Sequence, residues 1–197
     1  MYGYVKVGSA VPKLRVADCV YNKEEILKLV EAAAAKQVRV LSFPELSVTG
    51  YTCADLFFQT PLLHAAEQAI QEIAEATEAL NIFLLIGAPI AVDNQMFNCA
   101  VALYKGKLLG IVPKTHIPNY SEFYEERWFA SADDLLTEEI TYAGQNVPIG
   151  ADLIFAAADF PALKIGVEKT AVHVGGMNLF GKNFGDFPQD IIFRYIY

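Results

Sequence analysis

Cysteine is scarce in this 197-residue chain. The three present, Cys19, Cys53 and Cys99, lie far apart and form no CxxC pair. That spacing argues against a disulfide framework and a thiolate metal site, and it fits a reducing cytoplasm. Histidine is as rare: His64, His116 and His173 are scattered, so no metal centre is expected. Charged residues make up only 19%, with 15 Lys and Arg against 23 Asp and Glu. The net charge of -8 repels phosphate backbones and removes nucleic acid from the expected partners. No block of like charge marks a tail. Long apolar runs are missing too. The longest, IFLLIGAPIAV at 82–92, contains Gly and Pro and falls far short of the ~20 residues of a membrane span, so no membrane partner is expected. The N-terminal MYGYVKVGSA lacks the basic start and apolar core of a signal peptide.

What the chain does have is apolar residues, 54% of the total, and enough length for one domain with a substantial core. The pattern predicts a strand over 2–10 and a helix over 22–37, with Asn22 as cap and Glu25 three residues on. Ile26, Leu29, Val30 and Ala33 form that helix's apolar stripe. VRVLSF (38–43) predicts a strand. A second helix is expected over 61–80, capped by Thr60 with Pro61 at its first position. IFLLIGAPI (82–90), MFNCAVALY (96–104) and LLGIVP (108–113) predict three strands, the last two joined at KGK by a tight hairpin. Segment 114–150 reads as mostly irregular, and DLIFAA (152–157) and LKIGVE (163–168) as two more strands. Nearly continuous apolar strands are buried on both faces. Alternation with helices gives an α/β layered domain whose remaining sheet face must pack on something, such as a second sheet.

Three apolar strands end abruptly in polar residues. VRVLSFPELSVTGY delivers Glu45, LLGIVPKTHIPNY delivers Lys114, and LKIGVE delivers the residues after Glu168. Sites in α/β sheets collect at the carboxyl ends of strands. A carboxylate that accepts a nucleophile's proton, beside an ammonium that stabilises an oxyanion, would suit acyl transfer. The plain alternative is a turn glutamate and a solvated lysine.

FPELSVTGYTCADLF around Glu45 and VPKTHIPNYSEFYEERWF around Lys114 resemble the nitrilase, or carbon–nitrogen hydrolase, superfamily. With YGYVKVGSAVPKLRVAD, DNQMFNCAVALYKGKLLGIVPK and KIGVE, residues 2 to 168 resemble the N-terminal glutaminase domain of glutamine-dependent NAD synthetases. The resemblance implies an αββα sandwich, here incomplete at its C-terminal end. It also implies a Glu–Lys–Cys triad that hydrolyses glutamine through a thioester and passes ammonia to NAD synthesis. On that footing Glu45 is the general base and Lys114 the oxyanion-stabilising lysine. Tyr51 and Tyr120 line the glutamine pocket, and Glu125 supports the lysine and the substrate. No cofactor is implied for the amidase part. ATP and Mg belong to a synthetase domain expected to be absent from this chain. Homo-oligomers are implied for the full-length family.

The chain departs from the pattern after GVE, where the family continues Ile-Cys-Glu-Asp. Lys169 and Thr170 come instead, so Thr170 stands at the nucleophile position. A threonine hydroxyl is a far weaker nucleophile than a thiol, and impaired activity is expected. Cys99 reads as a core residue, and Cys53 as a remote substitute nucleophile. Residues 169–197 read as a tail outside the family, its GGMN as a turn, and the whole as a truncated product. A non-catalytic binding remnant and a nitrilase-type amidase for another small amide remain the competing functions.

Overall fold

The computed structural model describes residues 4–121, 123–158, 163–168, 171–176 and 191–194. Val7–Ser9 forms β1, Cys19–Ala35 α1, Val40–Ser42 β2 and Thr60–Ala76 α2. Phe83–Val92, Gln95–Tyr104 and Lys107–Pro113 are β3, β4 and β5. Together β1 to β5 make one five-stranded sheet in sequence order. β1, β2 and β3 run parallel, while β4 and β5 join as successive antiparallel hairpin strands. β5 therefore points the same way as β2, and both deliver their next residues to one end of the sheet.

β3 shows why this sheet needs cover on both sides. Alternate side chains of a strand point to opposite faces. Leu84, Ile86, Ala88 and Ile90 enter the core beneath α1 and α2. Phe83 and Leu85 enter a second core with Val40, Ala102 and Ile165. That second core is the seam with a four-stranded antiparallel sheet, ordered β11-β10-β9-β8. Here β8 is Ile154–Ala156, β9 Leu163–Glu168, β10 Ala171–Gly176 and β11 Ile191–Arg194. One helical layer and two sheets thus stack as a sandwich. No helical layer covers the outer sheet among the described residues. At one end of the seam a cavity of about 650 Å³ opens between Val5, Phe83, Leu109, Phe155 and Leu163. None of the described helices is long and apolar enough to cross a membrane.

Several sequence expectations shift. Asn22 does not cap α1. Asp18 does, accepting from the Tyr21 N–H at 3.1 Å. The helix starts a turn early because Cys19 extends its buried stripe. Asn22 is instead fully buried: its Nδ2 donates to the Arg15 and Val48 carbonyls, and its Oδ1 accepts from the Arg15 N–H. Thr60 is the first residue of α2, not its cap, and Gln59 before it makes no side-chain cap bond. α2 stops at Ala76, where the Thr77 hydroxyl turns back to the Ile73 carbonyl at 2.8 Å.

Within 114–150 an unexpected hairpin forms, Glu139–Tyr142 (β6) and Gln145–Pro148 (β7). Its turn puts Ala143 and Gly144 at φ 49° and 71°, the type I′ pattern, without the Asn-Gly pair that would signal it. In the tail, Gly175 and Gly176 do not turn but continue β10, opposite Lys164 and Leu163.

Candidate active site

The site forms where the seam meets the carboxyl ends of β2 and β5. β2 pairing continues as the Phe43 N–H donates to the Leu85 carbonyl, and it resumes as Val48 N–H donates to Gly87. Between those bonds Pro44, Glu45 and Leu46 ride over β3, with Leu46 in the left-handed region at φ 51°. Only glycine permits this crossing. A Cβ at Gly87 would lie 2.4 Å from the Leu46 nitrogen and 2.5 Å from the Pro44 carbonyl oxygen. Glu45 is thereby laid on the β3 face that also carries Phe83 and Leu85.

Lys114 arrives from the next strand but one. Its N–H donates to the Asn98 carbonyl on β4 at 2.8 Å, and its own carbonyl accepts from Ala132 at 3.0 Å. The ammonium is buried, with 4% of the side chain exposed, and lies between two carboxylates. Nζ donates to Glu45 Oε2 at 2.9 Å and to Glu125 Oε2 and Oε1 at 3.1 and 3.3 Å. Burial alone would push this amine down, but the charges and hydrogen bonds of Glu45 and Glu125 outweigh it and hold its pKa above the ordinary lysine value. Lys114 is therefore a cation at neutral pH. Glu45 takes one of its three N–H groups, and the two Glu125 oxygens can share another. A third then remains for an oxyanion.

Glu125 sits in a short helical turn, Glu125–Arg127, and Tyr51 donates its hydroxyl to Glu125 Oε1 at 2.5 Å. The turn is latched from outside. Arg127 makes a bidentate pair with Asp55 at 2.8 Å twice, and Trp128 Nε1 donates to the same carboxylate at 3.0 Å. Hydrogen bonds from Arg127 and then Trp128 hold Asp55 well below the usual carboxylate range. Beneath the latch, Phe57 packs edge-on to Phe129 at 5.0 Å. Phe129 is part of the main core.

Glu45, Lys114, Tyr51 and Glu125, which lie 80 residues apart in the chain at the extremes, thus form one hydrogen-bonded group. Tyr120 does not join it: its side chain is exposed, and its ring packs edge-on to Phe123. Thr170 lies outside the described residues.

Sequence reasoning missed Asn98, whose Nδ2 donates to Glu45 Oε2 at 3.0 Å. The signal was one amide inside the apolar run FNCAVALY, since buried polar groups need partners. Cys53 offers no substitute nucleophile. It is buried and donates to the Thr49 and Gly50 carbonyls. Burial raises its pKa, and a thiol that stays protonated does not attack. No group of three His, Cys, Asp or Glu among the described residues could hold a metal ion.

Known proteins resemble the chain in sequence and in fold. The family described as carbon-nitrogen hydrolase matches residues 6–168. The glutamine-dependent NAD(+) synthetase of Mycobacterium leprae (strain TN) is 36% identical over 166 residues, covering 84% of this chain. The chain spans 24% of that relative's length. A crystal structure of a glutamine-dependent NAD(+) synthetase from Cytophaga hutchinsonii superposes with a TM-score of 0.74 at 28% identity, over 82% of this chain and 27% of that one. An amidase from Nesterenkonia sp. shares the fold with a TM-score of 0.53 at 19% identity, over 70% of this chain and 52% of its own. With the family match spanning most of the sequence, the chain belongs to the carbon–nitrogen hydrolase family.

Proposed function

We propose that this chain carries the glutamine-hydrolysing part of a glutamine-dependent NAD synthetase. The observation that carries the reading is the Lys114 ammonium held between Glu45 and Glu125, in a chain 36% identical to such an enzyme. Glu45 takes the proton of the nucleophile as that atom bonds to the carboxamide carbon. Lys114 holds the oxyanion, and the proton then passes to the leaving nitrogen, which departs as ammonia. Water activated by Glu45 releases glutamate from the acyl intermediate. Tyr51, through Glu125, keeps the lysine in register, and Tyr120 at the rim contacts the incoming substrate. The reaction at this site uses no cofactor; ATP and magnesium belong to the synthetase step of the relatives. We place the enzyme in the cytoplasm as a homo-oligomer.

A specific observation favours a second reading. By the resemblance of KIGVE to the family pattern, Thr170 would stand where the family has cysteine. A chain that binds glutamine without turning it over fits that residue. Ammonia release from glutamine, measured on the chain and on Thr170→Cys, separates the two. Turnover by the unaltered chain supports a working site. Silence in the wild type with recovery in Thr170→Cys supports the binding reading. Silence in both, with a folded protein, overturns the proposed function.

A further inference from the structure

Asn98 is the one polar side chain pointing into the seam from the apolar middle of β4, and it is buried, with 3% exposed. It bonds in two directions. Its backbone carbonyl accepts the Lys114 N–H at 2.8 Å, and its side-chain amide donates to Glu45 Oε2 at 3.0 Å. One residue therefore ties the backbone that carries the lysine to the carboxylate that faces it.

The consequence is that the two oxygens of Glu45 are unequal. Oε2 accepts from both Lys114 Nζ and Asn98 Nδ2. Oε1 is buried and has no hydrogen-bond partner among the described residues. A buried carboxylate oxygen without a donor is costly and needs an explanation. A carboxylate held at one oxygen by an ammonium and an amide, from two directions, cannot swing its plane without breaking one of those bonds. Glu125 bonds to Lys114 instead, so it does not supply this restraint.

We infer that Asn98 is a positioning residue: it fixes Glu45 so that Oε1, and not Oε2, is the oxygen that accepts the nucleophile's proton. The inference rests on the proposed amide hydrolysis. In that step the O–H or S–H bond of the nucleophile breaks, its proton goes to Oε1, and its electron pair forms the bond to the carboxamide carbon. The carbonyl π electrons move to the oxyanion. On collapse the C–N bond breaks and the same proton leaves Oε1 for the departing nitrogen. Oε2 keeps its two donors throughout, so Lys114 stays in place for both halves of the reaction.

The test measures ammonia release from glutamine by the full chain and by Asn98→Leu, which is close in shape but has no donor, with Asn98→Ala as a second variant. Both keep the backbone bond to Lys114. The expected result is a kcat lower by about 10- to 100-fold, short of the ~10²- to 10⁴-fold a general base contributes because Glu45 itself is kept, with KM within twofold. An unchanged kcat in both variants overturns the inference while leaving the proposed function standing. So does a rise in KM at constant kcat, which would make Asn98 a substrate contact.

If the unaltered chain releases no ammonia, the proposed activity fails for this chain, and NMR decides the inference. The same measurement applies if neither variant folds. A wild-type Asn98 side-chain amide proton that exchanges slowly, and whose resonance moves on Glu45→Gln, supports the pairing. An amide proton that exchanges at the solvent rate, or ignores that substitution, overturns it.

Discussion

Lys114 is the residue on which the site's electrostatics turn. A buried ammonium flanked by two carboxylates is stable only as a group, since removing the cation leaves two negative charges out of water. Lys114→Met should therefore cost about 3–5 kcal/mol in urea unfolding, as well as any ammonia release. A loss below about 1 kcal/mol would mean the carboxylates are hydrated. The buried thiols give a second residue-level expectation. Burial raises Cys19 to about 11 and raises Cys99 and Cys53 as well. In the folded chain all three should resist a disulfide reagent at pH 8 and react only on addition of denaturant. Glu45 and Lys114 were legible in sequence because each ends an apolar strand abruptly and falls in a stretch that resembles the carbon–nitrogen hydrolases. Asn98 was not, because its partner Glu45 lies 53 residues away and only strand pairing brings them together. Asn22 misled for a related reason. NKEE has the spacing of a capping box, but the contact with Val48 is a tertiary one that no local pattern encodes.

At the scale of elements, the segment from Ile117 to Ala130 has little regular structure of its own and is held by what it touches. The Asp55 pairing with Arg127 and Trp128 fastens it to the turn Ala54–Phe58. Breaking this latch with Arg127→Ala should speed amide exchange across 119–130 while leaving β3 and β4 protected. Uniform loss of protection would show that the latch supports the whole fold instead. Because the folded pKa of Asp55 is depressed, the latch's contribution to stability is full above the usual carboxylate value of about 4 and is lost as the pH falls from there through the lower folded value. Helix and strand order was readable wherever apolar periodicity was strong, as in β3, β4 and α2. The β6–β7 hairpin was not, since a turn of Ala143 and Gly144 gives a weak signal and its anchors are tertiary: the Ala143 N–H donates to Glu67, and the Gln145 side chain bonds to Leu108 and Gly106.

Over the whole molecule, two cores share one sheet, and their titrating groups act in the same direction. Burial keeps Cys19, Cys99 and Tyr142 neutral in the fold. The unfolded chain releases those protons once the pH passes about 9 for the thiols and 10 for the tyrosine. Lys114, raised above the ordinary lysine value, contributes fully below about 10.5, and that contribution disappears as the pH climbs beyond it. Stability should therefore be nearly level from pH 7 to 8.5 and then decline steadily, as read from urea midpoints at each pH. A midpoint that rises between pH 9 and 10.5 would contradict this assignment.

The crossing of residues 44–46 over Gly87 also has a genetic consequence. Gly87→Ala should destabilise the chain by about 1–3 kcal/mol, the usual cost of forcing an extra carbon into a packed site. The atoms in its way belong to the main chain of Pro44, Glu45 and Leu46, not to side chains. Trimming a neighbour therefore cannot restore the space. A selection for revertants of Gly87→Ala should return glycine at the same codon, whereas losses at Asn98 or Arg127 have side-chain partners through which suppressors elsewhere can arise.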